Sequence, residues 1–523
     1  MNANLMTDPC IRAVLRDGDQ AKLSLPGVLA ALQRDEVAAF PAVMPHHSHP
    51  WHAFLCQLAC LALWDKDLPG SPPGQAALPI EPEEEAWRVA LHGLTPDFPN
   101  DEPWTLVVED LSKPAFMQPP IPEGTLRKFG RCDTPDEIDI LSNSKNHGIK
   151  INRLSNGVAD NWIVALITAQ TQAGYSIAGS KACYYSTVKQ NSNYGSKPGV
   201  YFTNGFFPGT QFNRDTIIIL QNAHNTYDDS FLFSTNGHKI LWLIHWNGEK
   251  SLGINLLHPL FIEITTRIRL KIEFKKIYAL RTGSANPRIT AKEFKGNLQD
   301  PWIPINIATG ASFNKKPDYK EICNILFESS IYSKPLLLKQ YSSDAGKELY
   351  AKFCFFARGK NVTNGYTERV VPIPLWAVSY VFGPRNDAAN VSHGMIRLAQ
   401  LSLDDAFKPA FKEALRVVLH KSKNQKRAPK EWVGKLTRRL DEDIDHAFFP
   451  RLWECLAVFD ESGDHSLALE PWRDFLKRLL RNNLQTALNS IPLPSSLAYK
   501  ARALAEAVLE ATIRKHFSTT EQP

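Results

Sequence analysis

The sequence predicts an α+β protein. A large mixed α/β N-terminal domain with antiparallel sheets and long loops spans residues 1–390. A C-terminal antiparallel four-helix bundle follows over residues 391–523. Three observations predict this. Up to Pro384, strand-like runs alternate with Gly- and Pro-rich loops. From Met395 to Phe517 the pattern is amphipathic helix, in segments near 402–422, 430–458, 466–490 and 495–517. The breaks between those segments are short: a cationic run from Lys421, then Ser462-Gly463-Asp464, then Pro492-Leu493-Pro494. Short breaks make consecutive helices antiparallel neighbours.

The 523 residues are 43% hydrophobic and 22% charged, ordinary for a soluble globular protein. The eight cysteines are scattered and form no Cys-x-x-Cys pair, which argues against a zinc ribbon. The N-terminus lacks the pattern of a signal peptide, so the cysteines are expected to be reduced thiols in the cytoplasm. No membrane partner is expected, because the longest apolar stretch, Ala53 to Trp64, is too short to span a bilayer and contains Gln57. Charge is unevenly placed. Residues 1–145 carry 11 Lys and Arg against 21 Asp and Glu, a net of −10; the rest carries 49 against 33, a net of +16. The middle and C-terminal parts are thus the face expected to meet a polyanion.

In chain order, residues 5–29 read as a short hairpin, turning at Asp17-Gly18-Asp19, that feeds a helix. His46, His47, His49 and His52 then precede an apolar helix. Four histidines in seven residues suggest metal, but Pro50 interrupts the spacing. Residues 68–86 are a Pro/Gly-rich and then acidic loop, and 121–160 are polar and loop-like. Trp162 to Gln172 reads as a helix. Asn191 to Gly209 holds four glycines, two prolines and five aromatic rings, with Lys197 inside it. Such a run cannot be helical, and its bare backbone could approach a sugar–phosphate chain closely. Thr216–Leu220 and Ile240–Trp246 read as buried strands from their β-branched content.

Residues 262–276 alternate with period two. Ile268, Leu270, Ile272 and Phe274 face one way, and Arg267, Arg269, Lys271 and Glu273 the other. That predicts a half-solvated strand with a basic face, extended by Lys275 and Lys276. Phe353–Arg358 and Val370-Val371 predict a hairpin whose turn signal is Asn364-Gly365. In the last region Asp441 and Asp445 lie one helical turn apart beside His446, a pattern open to metal but common on solvated faces. Phosphate-loop, nucleophile-elbow and His-Glu-x-x-His motifs are missing, which favours binding over catalysis. Two other readings stand beside it: a metal-dependent hydrolase using the His46–His52 cluster with Asp441 or Asp445, and an adaptor that binds only protein.

The order of features resembles the CasA family, the large subunit of the Cascade complex of type I-E CRISPR systems. Asn4-Leu5 to Leu29 is similar to the family's opening hairpin and helix, with Cys10-Ile11-Arg12-Ala13 where the family has Trp-Ile-Pro-Val. Pro114-Ala115-Phe116-Met117-Gln118 is similar to its Pro-Phe-Met-Gln segment. Ala165, Gln170, Gln172 and Gly174 resemble its helix before a glycine loop. Asp441 to Trp453 and Tyr499 to Phe517 resemble two of its bundle helices.

The resemblance implies a subunit that is not an enzyme, needs no cofactor and works in antiviral defence. Its implied partners are the other Cascade proteins, crRNA, double-stranded target DNA and a helicase–nuclease. It would read the protospacer-adjacent motif and help open the duplex. By the same resemblance, Lys150, Ile151 and Asn152 fall in a loop that contacts the crRNA end. The glycine loop falls within Gly174–Gly199, with Gly179-Ser180 and Gly195-Ser196 both open and Lys197-Pro198-Gly199 beside the second. The amide-bearing wedge that splits the duplex falls at the hairpin tip Asn361 to Asn364, with Thr363 or Asn364 in place of the family's glutamine, and Lys360 beside it is a further implied DNA contact. Lys275 or Lys276 is the implied minor-groove lysine.

Overall fold

The computed structural model of the chain describes residues 3–66, 77–141, 157–172, 176–178, 181–183, 198–227, 232–313, 315–328, 330–359, 362–383, 386–419, 428–490 and 495–517. The chain divides into two compact units, Met1–Lys316 with Ser330–Leu375, and Pro317–Ser329 with Trp376–Pro523.

The first unit is mixed α and β. It opens with β1 (Ile11–Leu15), β2 (Gln20–Leu23), α1 (Leu25–Gln33), β3 (Val37–Ala39), α2 (Pro45–Ala62) and α3 (Glu84–His92). Next come β4 (Gly130–Cys132), α4 (Pro135–Ile138), α5 (Ala159–Gln172), β5 (Ser176–Ala178), β6 (Lys181–Cys183), β7 (Gly199–Thr203) and α6 (Pro208–Tyr227). Strands β8 (His238–Ile240), β9 (Leu252–Gly253), β10 (Leu257–Ile262), β11 (Arg267–Glu273), β12 (Lys276–Thr282), β13 (Ile289–Thr290) and β14 (Ile305–Asn306) follow. After α7 (Tyr319–Leu326), which belongs to the second unit, the first closes with β15 (Tyr332–Ser333), β16 (Leu349–Gly359) and β17 (Val362–Ile373).

Three three-stranded sheets, β2-β1-β3, β11-β12-β4 and β17-β16-β7, are antiparallel throughout. The hairpin feeding α1 forms where the sequence predicts it, with Val14 paired to Gln20. Ser24 caps α1 by accepting from Gly27 N at 3.0 Å, and its hydroxyl donates to Glu84 of α3 at 2.7 Å. A helical core lies behind, with Phe54, Leu58 and Leu61 of α2, Ile163, Leu166 and Ile167 of α5, and Phe212 and Ile219 of α6 all buried.

Two strand expectations fail for the same reason. Thr216–Leu220 lies inside α6, where Phe212, Asp215, Thr216 and Ile219 share a buried helical face. Packing on α1 and α2 outweighs the β preference of Ile217–Ile219. Of Ile240–Trp246, Ile240 ends β8 and Leu241–Leu243 is a 3-10 turn. That turn buries both Leu241 and Trp242, whose Nε1 donates to Pro103 O at 3.0 Å.

The second unit is helical. With α7 it contains α8 (Val378–Phe382), α9 (Asp387–Leu401), α10 (Lys408–Leu419), α11 (Ala428–Ser462), α12 (His465–Ala468), α13 (Glu470–Asn489) and α14 (Ser495–His516). A π-helical turn, Ser402–Phe407, joins α9 to α10. The buried stripe Leu440, Ile444, Phe448, Leu452 and Leu456 runs along α11 at four-residue spacing. Trp472, Leu476, Leu480 and Leu484 make the matching stripe on α13. Helices α11 and α13 pack together, as do α10 and α14.

Candidate nucleic-acid interface

Strands β16 and β17 form the longest hairpin of the first unit, in register from Leu349 opposite Ile373 to Gly359 opposite Val362. The strands therefore still pair beyond Asn364-Gly365, which is not the turn of this hairpin. The register slips between Ala357, opposite Gly365, and Arg358, opposite Thr363. Asn364 is the extra residue of that bulge, and Gly365 takes φ +140° beside it. A bulge bends and twists the strand end. Of the wedge residues Asn361 lies outside the described residues, as does Lys360 beside it, while the backbones of Thr363 and Asn364 belong to β17.

The other edge of β16 carries β7, with Gly199 opposite Cys354. The glycine-rich run thus enters the sheet at Gly199, five residues along β16 from the hairpin end, or roughly 17 Å at the usual rise per residue. Gly199 itself is buried. Gly195 and Lys197 lie outside the described residues, as do Lys150, Ile151 and Asn152. Gly179, also outside them, falls in the two-residue connection between β5 and β6, whose ends pair Ala178 with Lys181.

The β11–β12 hairpin closes through two residues. Glu273 pairs with Lys276, and Phe274 (φ +49°) and Lys275 (φ +62°) both occupy the left-handed region. This is the two-residue turn that usually selects Asn-Gly. For residues with a Cβ each such conformation costs about 1–2 kcal/mol. Phe274, which the alternation placed on the apolar strand face, instead stands at the tip with 93% of its surface exposed. Lys275 and Lys276 are exposed beside it. The turn end of the hairpin is held by Arg131 of β4, whose guanidinium lies 2.8 Å from Glu273 and 3.9 Å above the Tyr278 ring.

The expected basic face of β11 is not solvated. Arg267 and Arg269 are both buried. Arg267 donates to both oxygens of Glu123 at 2.6 and 2.7 Å. Arg269 donates to the carbonyls of Lys113, Val108 and Asp110 at 2.9, 2.8 and 3.1 Å. Burial pulls its pKa down to about 10. The segment containing Pro114–Gln118 covers this face, which a strand pattern alone could not reveal.

Two glutamines of the family-like segments also prove to be staples. Gln118 donates to Leu106 O at 2.8 Å and accepts from Leu270 N at 2.7 Å. Gln170 donates to Met117 O and Thr266 O and accepts from Thr265 N and Thr266 N, all within 3.0 Å. Each amide satisfies buried backbone that no sheet partner reaches.

The histidine cluster separates on folding. Helix α2 runs through Pro50 and starts at Pro45, so the four rings point from its first turns. His46 and His47 place Nε2 2.9 and 2.6 Å from the same Asp139 oxygen. His52 Nε2 pairs with Asp215 at 2.8 Å, and His49 lies between Tyr201 and Trp302. Among the described residues His46, His47 and Asp139 form the one group with three potential metal-ligand atoms within 4.8 Å. All three are buried, and their contacts are at hydrogen-bond distance. Cys56, 3.5 Å from His52 Nε2, is pushed above the ordinary thiol pKa by burial, the opposite of an activated nucleophile. Asp441 and Asp445 are equally committed. Asp445 accepts from Tyr319 N at 2.7 Å and Asp441 from Tyr319 Oη at 3.2 Å, so this carboxylate pair anchors the start of α7. The histidines of the hydrolase reading are thus divided between Asp139 and Asp215, with metal-ligand spacing kept at His46, His47 and Asp139.

No helix among the described residues is long and apolar enough to cross a membrane. No family model and no curated protein matches the chain. Solved structures do. Thermus thermophilus CasA (Cse1) superposes with a TM-score of 0.61 at 13% identity, covering 98% of this chain and 99% of that one. Thermobifida fusca Cse1 gives 0.62 at 11% identity, covering 99% of each. A chain of a CRISPR RNA-guided surveillance complex gives 0.56 at 12% identity, covering 99% of this chain and 100% of that one. The resemblance read from the sequence holds in three dimensions: this chain has the Cse1 fold from end to end.

Proposed function

We propose that this chain is the large subunit of a crRNA-guided Cascade complex, a binding subunit and not an enzyme. The carrying observation is the coverage of the Cse1 likeness, which takes in 98% or more of both chains. In this reading the protein reads the protospacer-adjacent motif in duplex DNA, aids unwinding and R-loop formation, and recruits a helicase–nuclease in the cytoplasm.

Three features support a duplex as the partner. The net charge of residues 146–523 is +16, which suits a polyanion. The sheet β17-β16-β7 joins the glycine-rich run to the hairpin whose last described pair is Gly359 with Val362. Bare backbone and short amide side chains suit a minor groove, whose donor–acceptor pattern is degenerate and whose base steps yield to inserted wedges. In this division of labour the protein reads a short motif and the guide reads the sequence. Lys275 and Lys276 on the second hairpin are the minor-groove and phosphate contacts. Lys150, Ile151 and Asn152 are the crRNA-end contacts, and Gly179, Gly195, Lys197 and Gly199 the candidate glycine-loop positions.

The test is to express the tagged chain with its genomic neighbours, purify the assembly and sequence the bound RNA. Short repeat-derived RNAs and retention of a guide-matched duplex are the expected results. A protein that purifies alone, free of RNA, overturns the reading.

A further inference from the structure

The β11–β12 hairpin tip carries two conformational costs and one solvation cost. Phe274 and Lys275 both sit at positive φ, +49° and +62°, where a side chain is unfavourable. Phe274 exposes 93% of its surface, more than any other exposed large hydrophobic of the described residues. Nothing in the hairpin itself repays these costs. The cross-strand pairs Ile272–Ile277 and Glu273–Lys276 close the ladder without the Phe274 ring. Asn-Gly would make the same turn without strain or exposed ring. Strain kept at such a site points to a use for the residues that bear it.

Charge indicates the partner. The exposed ring is followed directly by Lys275 and Lys276, both exposed. The nearest acid, Glu273, is engaged by Arg131. An aromatic face with two cations at its foot matches a nucleobase and its flanking phosphates better than an apolar protein pocket, which would have to desolvate both ammonium groups.

We infer that Phe274 is an aromatic wedge that stacks against a base step of the target duplex, while Lys275 and Lys276 hold the adjacent phosphates. This rests on the Cascade reading above and adds to it a second unstacking element, separate from the tip at 361–364. Inserted apolar side chains kink and unstack duplex DNA, and the left-handed turn projects the ring beyond the strand ends, where it can enter a groove.

The experiment uses the whole RNA-loaded complex and a guide-matched duplex whose flank has been enriched from random sequence by binding to wild-type complex. Phe274→Ala is expected to weaken binding to this duplex by about 5- to 100-fold, the range of one base–aromatic stack. Phe274→Trp is expected to keep it. On the same duplex pre-opened by mismatches beside the flank, Phe274→Ala is expected to lose at least as much, since the ring–base stack is still missing while wild type no longer has a base step to break. Phe274→Asn with Lys275→Gly, a relaxed turn, is expected to raise the melting temperature while weakening duplex binding. Equal affinity of Phe274→Ala and wild type for the closed duplex overturns the inference. So does failure of the Phe274→Ala chain to enter the complex, which would assign the ring to a protein contact. A wild-type complex that carries guide RNA but binds no duplex removes the DNA-reading role itself, and a chain free of RNA removes the Cascade reading; those failures are distinct from failure of the wedge.

Discussion

Gly199 lies beneath the imidazole of His49: a Cβ built on it would stand 2.5 Å from the His49 Cε1 and Nε2 atoms. Gly199, the end of the Gly174–Gly199 segment, therefore has a packing role as well as any role at a groove. Gly199→Ala must displace a ring held against Tyr201 and Trp302, so a loss of about 1–3 kcal/mol is expected, as for other overpacked sites. Thermal melting of the chain alone reads this. An unchanged melting temperature would show that the His49 ring yields freely.

The tip of the other hairpin gives the opposite signature. Asn361→Ala with Asn364→Ala should leave stability and assembly intact and lower the affinity of the assembled complex for target duplex about tenfold, as expected for lost groove contacts. Electrophoretic mobility shifts with wild-type and variant complexes decide it. Normal binding by the double variant would remove the wedge role from residues 361–364.

An arginine and a lysine of the same hairpin should separate cleanly. Arg269 feeds three backbone carbonyls from a buried position, so Arg269→Met leaves them unpaired and should cost about 3 kcal/mol of stability. Exposed Lys276→Ala should stay within about 0.5 kcal/mol. It should instead reduce the slope of log affinity against log salt by about one. Denaturant unfolding and salt-titrated binding give the two readouts.

The pH dependence of stability has two limbs. Burial opposes a charge on His52, but the Cys56 sulfur and the Asp215 carboxylate overcome it and raise its pKa to about 10. A raised pKa gives stabilisation that is complete below the unfolded value of about 6.5 and lost as pH climbs toward 10. Asp139 has the reverse sign. Burial opposes its charge, yet contacts from His46 and His47 hold its pKa well below the carboxylate range. Its contribution is present above about pH 4 and disappears as the medium becomes strongly acid. His52→Gln should flatten the alkaline limb of a melting-temperature profile and leave the acid limb in place. A wild-type profile with no decline between pH 7 and 10 would contradict the His52–Asp215 coupling.

Local periodicity made much of this fold legible. The α11 and α13 stripes repeat every four residues, and the Asp17-Gly18-Asp19 turn and the period-two run of β11 are visible in any window around them. The same logic misplaced Thr216–Leu220, because its β-branched residues are helical in a structure that offers two helices to pack on. The Asn364-Gly365 signal marked a left-handed glycine correctly but could not say whether it served a turn or a bulge.

The candidate interface divides in the same way. By itself the sequence determined which residue types were available: the glycine-rich run, the histidines, the lysines at 275 and 276, and the order of segments shared with the CasA family. Tertiary structure alone decided their roles. It paired Gly199 with Cys354 and so tied the glycine run to the hairpin. It buried Arg269 under residues 108–113, sent His46 and His47 to Asp139 and His52 to Asp215, and lifted Phe274 out of its strand face to the tip of a turn. The physical reason is that a side chain's role follows from what covers it. Covering groups come from residues tens to hundreds of positions away, which no local pattern encodes.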